Sequence, residues 1–442
     1  MRRRTLPLVS IPVAALLAVP AGMLPAEGSV SASASSASVS QASSLSTPAS
    51  AERRRKQARY ARPARATTFG PGVINGVRVS WRPAARAARY RVKWAYAPWD
   101  KWPAATRISG WMPASKRWHQ TAVSTSRDDY RMTSVPYGNP VFARVQAANA
   151  RGVGYWSRWR AIWPKLPRPA DGDAVRLGTY NVMLAGTTNW VRRMPRIARN
   201  IAARGLGIVA LQETMSTDGS GVARRLTSLT GHTWKVAPTG HAEGRILYDS
   251  RKFSMRDAGI LNNYTSQRII NYRTGRVIPL PWAKFRAAGS DRSFTVVSVH
   301  FAPGMVSGSP TATANKRTGA SARAVMDGLS NVQSSGPAVI AGDFAGGYGR
   351  WGDPNPAQPT LVRAGWWDSM ASLSKAGVTY STVNRRRAQR STLAVAGRAD
   401  GIFLRGIRGS FRYSNVANFF MPGTRVPPSD HNLVWSEFRV PR

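Results

Sequence analysis

The chain reads as an α/β domain preceded by a smaller all-β sandwich, and three observations predict this. Residues 70–165 break into short runs of alternating apolar and polar residues separated by turn signals. From 175 onward, segments with helical spacing interleave with apolar strands. Those later strands end in polar, mostly acidic side chains, which is where an α/β sheet builds a site. With 442 residues, 43% of them hydrophobic, the chain can fill more than one core.

Export is the first expectation. Arg2, Arg3 and Arg4 precede an apolar run from Leu6 to Leu24 broken by Pro7, Pro12 and Pro20. Small residues follow, with Ala32-Ser33-Ala34 as a cleavage motif and a site near Ala26 as the alternative. This three-part pattern predicts a signal peptide over 1–34 and a secreted, extracellular protein. Residues 35–69 follow as a linker, first Ser/Ala-rich and then basic. Seven basic side chains between 51 and 66 face Glu52 alone, as either a solvated arm or an electrostatic grip on a polyanion.

The net charge is +44, from 64 basic and 20 acidic residues. Charge of that size speaks to partners, and the partner class it names is a polyanion: nucleic acid, or an anionic cell-wall or membrane surface. No obligate protein partner is expected. The chain has no cysteine, which excludes disulfides and thiolate metal sites.

Within 70–165, "GVRVSWRP" alternates Val77, Val79 and Trp81 against polar neighbours, and "ARYRVKWAY" does the same with Tyr90, Val92 and Trp94. "VFARVQAANARGVGYWSRW" places Phe142, Val145 and Ala147 on a strand leading to a turn at Asn149–Gly152. These runs resemble the fibronectin type III domain, which implies a sandwich of seven short strands whose aromatic residues are core and sheet packing. Pro164, Pro167 and Pro169 mark its end.

The second domain, 175–442, opens on "AVRLGTYNVM" as a strand. "NWVRRMPRIARNIAAR" (189–204) follows as an amphipathic helix and "GIVALQET" (207–214) as a buried strand. "GRILYDSRKF", "SFTVVSVHFAPG", "PAVIAGDF", "ADGIFLRG" and "DHNLVWSEF" are further strands, with a helix over 315–333. Taken in order, the strand ends present Asn181, Glu213, His300, Asp343, Asp400, Asp430 and His431. A strand-end Asp is usually a turn former and a lone His usually a satisfied surface or core residue. The set as a whole is what points to chemistry. Carboxylates and an amide are hard ligands suited to Mg2+, while the lack of thiols and of a His-rich triad disfavours zinc. A His directly after an Asp, with another Asp to orient its ring, makes an activated imidazole, and a second His can serve a leaving group.

The motifs "TYNVM", "ALQET", "ILYDSRKF", "SVHFAPG", "AGDF", "ADGIFL" and "SDHNLVW" resemble, in order and spacing, the endonuclease/exonuclease/phosphatase superfamily. The resemblance implies a four-layer α/β sandwich, with two mostly antiparallel sheets flanked by helices, and hydrolysis of phosphate esters with Mg2+, Mn2+ or Ca2+. It implies Glu213 as principal metal ligand supported by Asn181 and Asp430. His431 becomes the imidazole at the scissile phosphate, held by Asp400, with His300 as second histidine and Asp343 orienting the attacking water. Glu243 corresponds loosely to the acidic partner of His300, with a solvated loop carboxylate as the alternative.

One position departs from the family pattern: Ala345 stands where Gly-Asp-Phe is ordinarily followed by Asn. Losing such a phosphate donor costs about 2.7–4 kcal/mol of transition-state stabilisation. Backbone amides at Gly346 and Gly347, or Arg350 or Arg398, are candidate substitutes. The charge favours nucleic acid as substrate. A sphingomyelinase-like phospholipase with "NFFMPG" (418–423) as membrane loop, and a degenerate polyanion-binding protein, are the alternatives.

Overall fold

In the computed structural model the described residues are 68–69, 76–95, 106–116, 118–122, 141–162, 171–183, 189–214, 216–240, 244–261, 277–301, 305–306, 309–310, 312–332, 336–345, 357–383, 398–407, 409–417 and 427–441. The expected signal peptide, almost all of the linker, Glu243, Gly346, Gly347, Arg350 and residues 418–423 lie outside them.

The N-terminal strands are β1 (Thr68–Phe69), β2 (Gly76–Ser80), β3 (Arg89–Ala95), β4 (Thr106–Ile108), β5 (Met112–Pro113), β6 (Trp118–Ala122), β7 (Val141–Asn149), β8 (Gly152–Val153) and β9 (Arg160–Ile162). They form one sheet ordered β1-β2-β6 and a second ordered β4-β3-β7-β8, with β5 on β3 and β9 on β7. Val79, Trp81, Tyr90, Val92, Ala143, Val145 and Ala147 share one buried cluster, which holds Trp81 and Tyr90 with ring centroids 5.5 Å apart. Phe142 departs from the sequence reading. It is one residue out of phase with Val145 and Ala147, so the pleat sends it away from their cluster, and it packs into the core of the second domain.

The second domain continues with β10 (Asp173–Asn181), α1 (Trp190–Ala202), β11 (Ile208–Gln212), α2 (Ser216–Thr230), β12 (Trp234–Val236), β13 (Arg245–Asp249), β14 (Phe253–Ile260), β15 (Pro281–Ala287) and β16 (Ser293–His300). A short hairpin, β17 (Met305–Val306) with β18 (Ser309–Pro310), leads to α3 (Ala312–Val332), β19 (Ala338–Asp343) and α4 (Ala357–Arg363). The domain closes with β20 (Trp367–Asp368), β21 (Ser372–Ala376), β22 (Asp400–Arg405), β23 (Ser410–Val416) and β24 (Leu433–Val440).

One sheet runs β12-β13-β11-β10-β24-β23-β21 and the other β14-β15-β16-β19-β22-β20. Most pairings are antiparallel; β10/β11, β16/β19 and β21/β23 are parallel. Period-2 alternation gives each sheet two apolar faces. The inner faces meet in a cluster that includes Leu177, Ile208, Phe285, Phe294, Val339 and Ile402. The outer face of the first sheet packs under α1 and α2 through Ile197, Ile201, Val222 and Leu226. The outer face of the second packs under α3 and α4 through Val325, Leu329, Leu361 and Val362. Helix, sheet, sheet, helix is the four-layer order expected.

This topology gathers the polar tips. Strands β10 and β11 run parallel with Asn181 opposite Gln212, so Asn181 and the following Glu213 emerge together. Strands β16 and β19 run parallel with His300 opposite Asp343, and antiparallel β22 begins with Asp400 opposite the same Asp343. Strand β24 runs antiparallel to β10, which brings the residues before Leu433 to the same end. Gly342 is required here: a Cβ at this position would lie 1.9 Å from the Val299 carbonyl oxygen.

Candidate active site

Phe301, Phe344 and Phe403 form the floor of the site. Their rings contact edge to face at centroid distances of 5.3 and 5.1 Å. Phe301 and Phe344 each follow a site residue directly, so packing the rings fixes the backbone of His300 and Asp343.

Above this floor the polar side chains form a continuous array. Asn181 is fully buried, and its Nδ2 donates to Glu213 Oε1 at 2.9 Å and Asp343 Oδ2 at 3.1 Å. His300 Nε2 lies 3.8 Å from both Glu213 Oε1 and Asp343 Oδ2. His431 Nε2 lies 3.6 Å from Asp343 Oδ2, while its Nδ1 lies 3.1 and 3.0 Å from the two Asp400 oxygens. Ser429 ties the last segment in: its hydroxyl donates to the Asn181 carbonyl at 2.6 Å and accepts from the His431 amide at 3.1 Å. Asp430 lies between these two anchored residues and is partly exposed. Seven of the eight residues singled out from sequence thus stand at one end of the sandwich; Glu243 lies outside the described residues.

Burial alone would raise the Asp343 pKa. Opposed by His431, His300, the Ala345 amide and Asn181, it ends below the usual carboxylate range. Burial likewise pulls His431 down, but Asp400, Asp343, the hydrogen bond to Asp400 and Asp430 outweigh it and push the imidazole up to about 10. Asp400 is raised by burial against the pull of His431 and a hydrogen bond from Thr382. Asp400 and His431 therefore act as one coupled pair, and with Asp343 also facing the ring, the shared proton belongs on the imidazole.

The sequence reading missed two supporting residues. Thr382 is fully buried, and its Oγ1 accepts from the amides of Ala399 and Asp400 at 2.9 and 3.1 Å, fixing the start of β22. Arg193 is also fully buried. Its Nη1 donates to the carbonyls of Val182 at 2.6 Å and Pro428 at 3.1 Å, and its Nη2 to Met183 at 2.8 Å. It joins the segment after Asn181 to the segment before Asp430. Burial lowers its pKa, opposed by Asp430, Tyr180 and Glu213. A signal for it was present: Arg193, Ile197 and Ile201 stand four residues apart on one helix face, so an arginine occupies the buried stripe.

Three non-glycine residues at the strand tips have left-handed backbone: Met183 (φ 56°), Glu213 (φ 56°) and Ala345 (φ 50°). Each such residue stores roughly 1–3 kcal/mol of strain. The turn at Ala345 is held by its amide donating to Asp343 Oδ1 at 2.7 Å. Arg398 does not replace the missing Asn. Its guanidinium grips Asp368 through Nη1 and Nη2, at 2.9 and 3.0 Å, and the residue is buried.

Two donor sets could receive a cation. Asp343, Asp400 and His431 offer ligand atoms within 4.8 Å of one another, but the Asp400–His431 hydrogen bonds already engage both of those side chains. Glu213, whose Oε1 accepts from Asn181, and Asp430 are partly exposed carboxylates at the rim, and both act electrostatically on Arg193. That oxygen-rich chemistry fits a hard divalent ion. Asn181 contributes differently from expectation: its nitrogen, not its oxygen, faces Glu213 and Asp343, and its Oδ1 accepts from the Met183 amide at 3.0 Å.

Solved structures similar to this chain include endonuclease/exonuclease/phosphatase family proteins. One, from Bacteroides thetaiotaomicron, has TM-score 0.46 and 17% identity over 61% of this chain and 98% of its own. The mannosyl-6-phosphatase Bt3783 of the same organism has TM-score 0.44 and 16% identity, over 59% and 98%. D. rerio TDP2, complexed with single-strand DNA product, has TM-score 0.43 and 16% identity, over 60% and 98%. No protein-family model and no curated protein matches the chain.

Proposed function

We propose that this protein is an exported, divalent-metal-dependent phosphodiesterase that hydrolyses nucleic acid. The observation that carries the reading is the unbroken array Glu213–His300–Asp343–His431–Asp400 at one end of the two sheets. Glu213, oriented by Asn181, and Asp430 would hold a hard cation, Mg2+ or alternatively Mn2+ or Ca2+, which when bound polarises a phosphate oxygen.

The other roles follow from protonation state. Asp343, held as a carboxylate, accepts the proton of the attacking water. His431 is cationic below about pH 10, so its Nε2 donates a hydrogen bond to a phosphate oxygen as negative charge develops there. Asp400 fixes the ring by occupying Nδ1. His300, next to Asp343 on the parallel strand, supplies the proton taken by the leaving alkoxide when the P–O bond breaks. The +44 charge supports a polyanionic substrate over a compact phosphate ester.

The test compares plasmid DNA with sphingomyelin liposomes, each with and without Mg2+, for the parent and for Glu213→Ala and His431→Ala. Metal-dependent DNA cleavage lost in both variants, with unchanged far-UV circular dichroism, is the expected result. Turnover of sphingomyelin alone, or activity surviving Glu213→Ala, refutes the reading.

A further inference from the structure

The outer face of the larger N-terminal sheet carries an alternating ladder of arginine and tryptophan. Arg89 and Arg91 lie over Trp111 at 4.8 and 4.6 Å from the ring centroid, and Arg91 also lies 5.4 Å from Trp156. Arg144, 4.9 Å from Trp156 and 4.5 Å from Trp159, is half-buried at the end of the face where Phe142 and Trp159 pack against the second domain's core, so the open part of the ladder is the row Arg89, Arg91 and Lys93.

The strand pleat produces this face. Tyr90 and Val92 of β3 and Val145 and Ala147 of β7 point into the sandwich core, so Arg89, Arg91, Lys93 and Arg144 point the other way. Lys93 stands directly opposite Arg144 in the register, a like-charge pair that is unfavourable without a counter-ion. Stacking on tryptophan gives each guanidinium a local attraction but cannot neutralise it, because the rings carry no net charge. Among the described residues of 68–162 there is no Asp or Glu to do so.

We propose that this face binds single-stranded nucleic acid. A flat-stacked guanidinium keeps its N–H edges clear of the ring; Arg91 donates its Nε–H to Gln146 Oε1 at 2.8 Å, which leaves phosphate oxygens to the terminal N–H groups. Arg89, Arg91 and Lys93 recur every second residue along β3, about 6.6 Å apart, which makes a row of phosphate contacts along a strand. Tyr155, 83% exposed beside Trp156, is a stacking platform for a base. A lipid surface fits less well, since arginines already cover the tryptophan faces. The inference deepens the nucleic-acid reading of the second domain, but binding measured without metal keeps the two separable.

The experiment titrates the full chain, in EDTA, into a fluorescent 20-nucleotide single-stranded DNA and reads anisotropy across a salt series. In Arg89→Gln/Arg91→Gln/Lys93→Gln, the slope of log affinity against log salt should fall by about 2, and affinity at 0.1 M salt by roughly a hundredfold, from about 0.7 per phosphate contact. Tyr155→Ala, at an exposed position that leaves the fold untouched, should weaken binding at least about fivefold. A charge-matched control on the other domain, Arg225→Gln/Arg256→Gln/Arg292→Gln, should change affinity by less than a third of the ladder variant's loss. Equal losses in ladder and control variants overturn the proposal. An unaffected Tyr155→Ala, with equal competition by a poly(glycerol phosphate), also overturns it by assigning the face to wall polymers. Retained binding without any DNA cleavage leaves this inference standing while the proposed catalysis fails.

Discussion

Arg193→Met should be the most informative single substitution in the second domain. Methionine preserves most of the volume and apolar reach of the side chain but removes every guanidinium donor. The carbonyls of Val182, Met183 and Pro428, now bonded at 2.6, 2.8 and 3.1 Å, lose their partner in a fully buried site. Each hydrogen bond to a charged group contributes about 1.5–3 kcal/mol, and an orphaned buried carbonyl costs about 1–3 kcal/mol. These terms describe the same contacts and do not add, so the net loss should resemble that of breaking a buried ionic contact, about 3–5 kcal/mol. At roughly 2–4 °C per kcal/mol for a domain of this size, the thermal midpoint of the metal-free protein should drop by about 6–20 °C. Calorimetry of the full chain, following the main transition, reads this directly. Arg193→Lys keeps the charge but not the fork, and should recover less than half of the loss. Isothermal titration with Mn2+ should also show weaker binding in Arg193→Lys, because the segments carrying Asn181 and Asp430 are no longer joined. A midpoint within 2 °C of the parent for Arg193→Met would refute the reasoning.

Three other outcomes are expected. Ala345→Asn places a residue tolerant of left-handed backbone at φ 50° and supplies an amide donor. The thermal midpoint should rise by an amount equivalent to about 1 kcal/mol, and DNA hydrolysis should quicken on the order of a hundredfold; a rate gain below threefold contradicts this. Glu213→Gly relieves strain at φ 56° but removes the acceptor of the buried Asn181 amide, so the two effects should offset to within about 1 kcal/mol in the metal-free protein while metal-dependent activity is abolished, as urea unfolding and a cleavage assay can check. His431 titrates in the folded state at about 10, above its ordinary value of 6.5. Its stabilising contribution is therefore complete below pH 6.5 and lost as pH rises toward 10. Urea unfolding in EDTA between pH 6 and 10 should show that decline, and Asp400→Asn should flatten it.

How much was legible in the sequence depended on whether a feature was local. The strand tips could be read because an apolar run ending in Asn181, Glu213, Asp343 or Asp400 is a pattern in adjacent residues. The helix at Trp190–Ala202 was equally plain from its spacing. Sheet order was not, because β10 lies between β11 and β24, a partner more than 250 residues away. Phe142 is not legible, because an aromatic at the start of an alternating strand gives no sign of which phase faces the core. Arg193 and Thr382 were missed because composition treats both as surface residues; only the assembled fold provides the carbonyls and amides that make their burial favourable. Arg398 reads as a candidate phosphate contact because its partner Asp368, 30 residues earlier, is adjacent only in the folded chain.

The left-handed residues after β10, β11 and β19 have a consequence for how this protein can change. Met183, Glu213 and Ala345 are each places where glycine or asparagine would relax the chain. A randomised library sorted only for yield of folded protein should therefore drift toward those replacements. At Glu213, that drift removes the carboxylate the proposed chemistry needs, so selection for solubility and selection for turnover would pull this position in opposite directions.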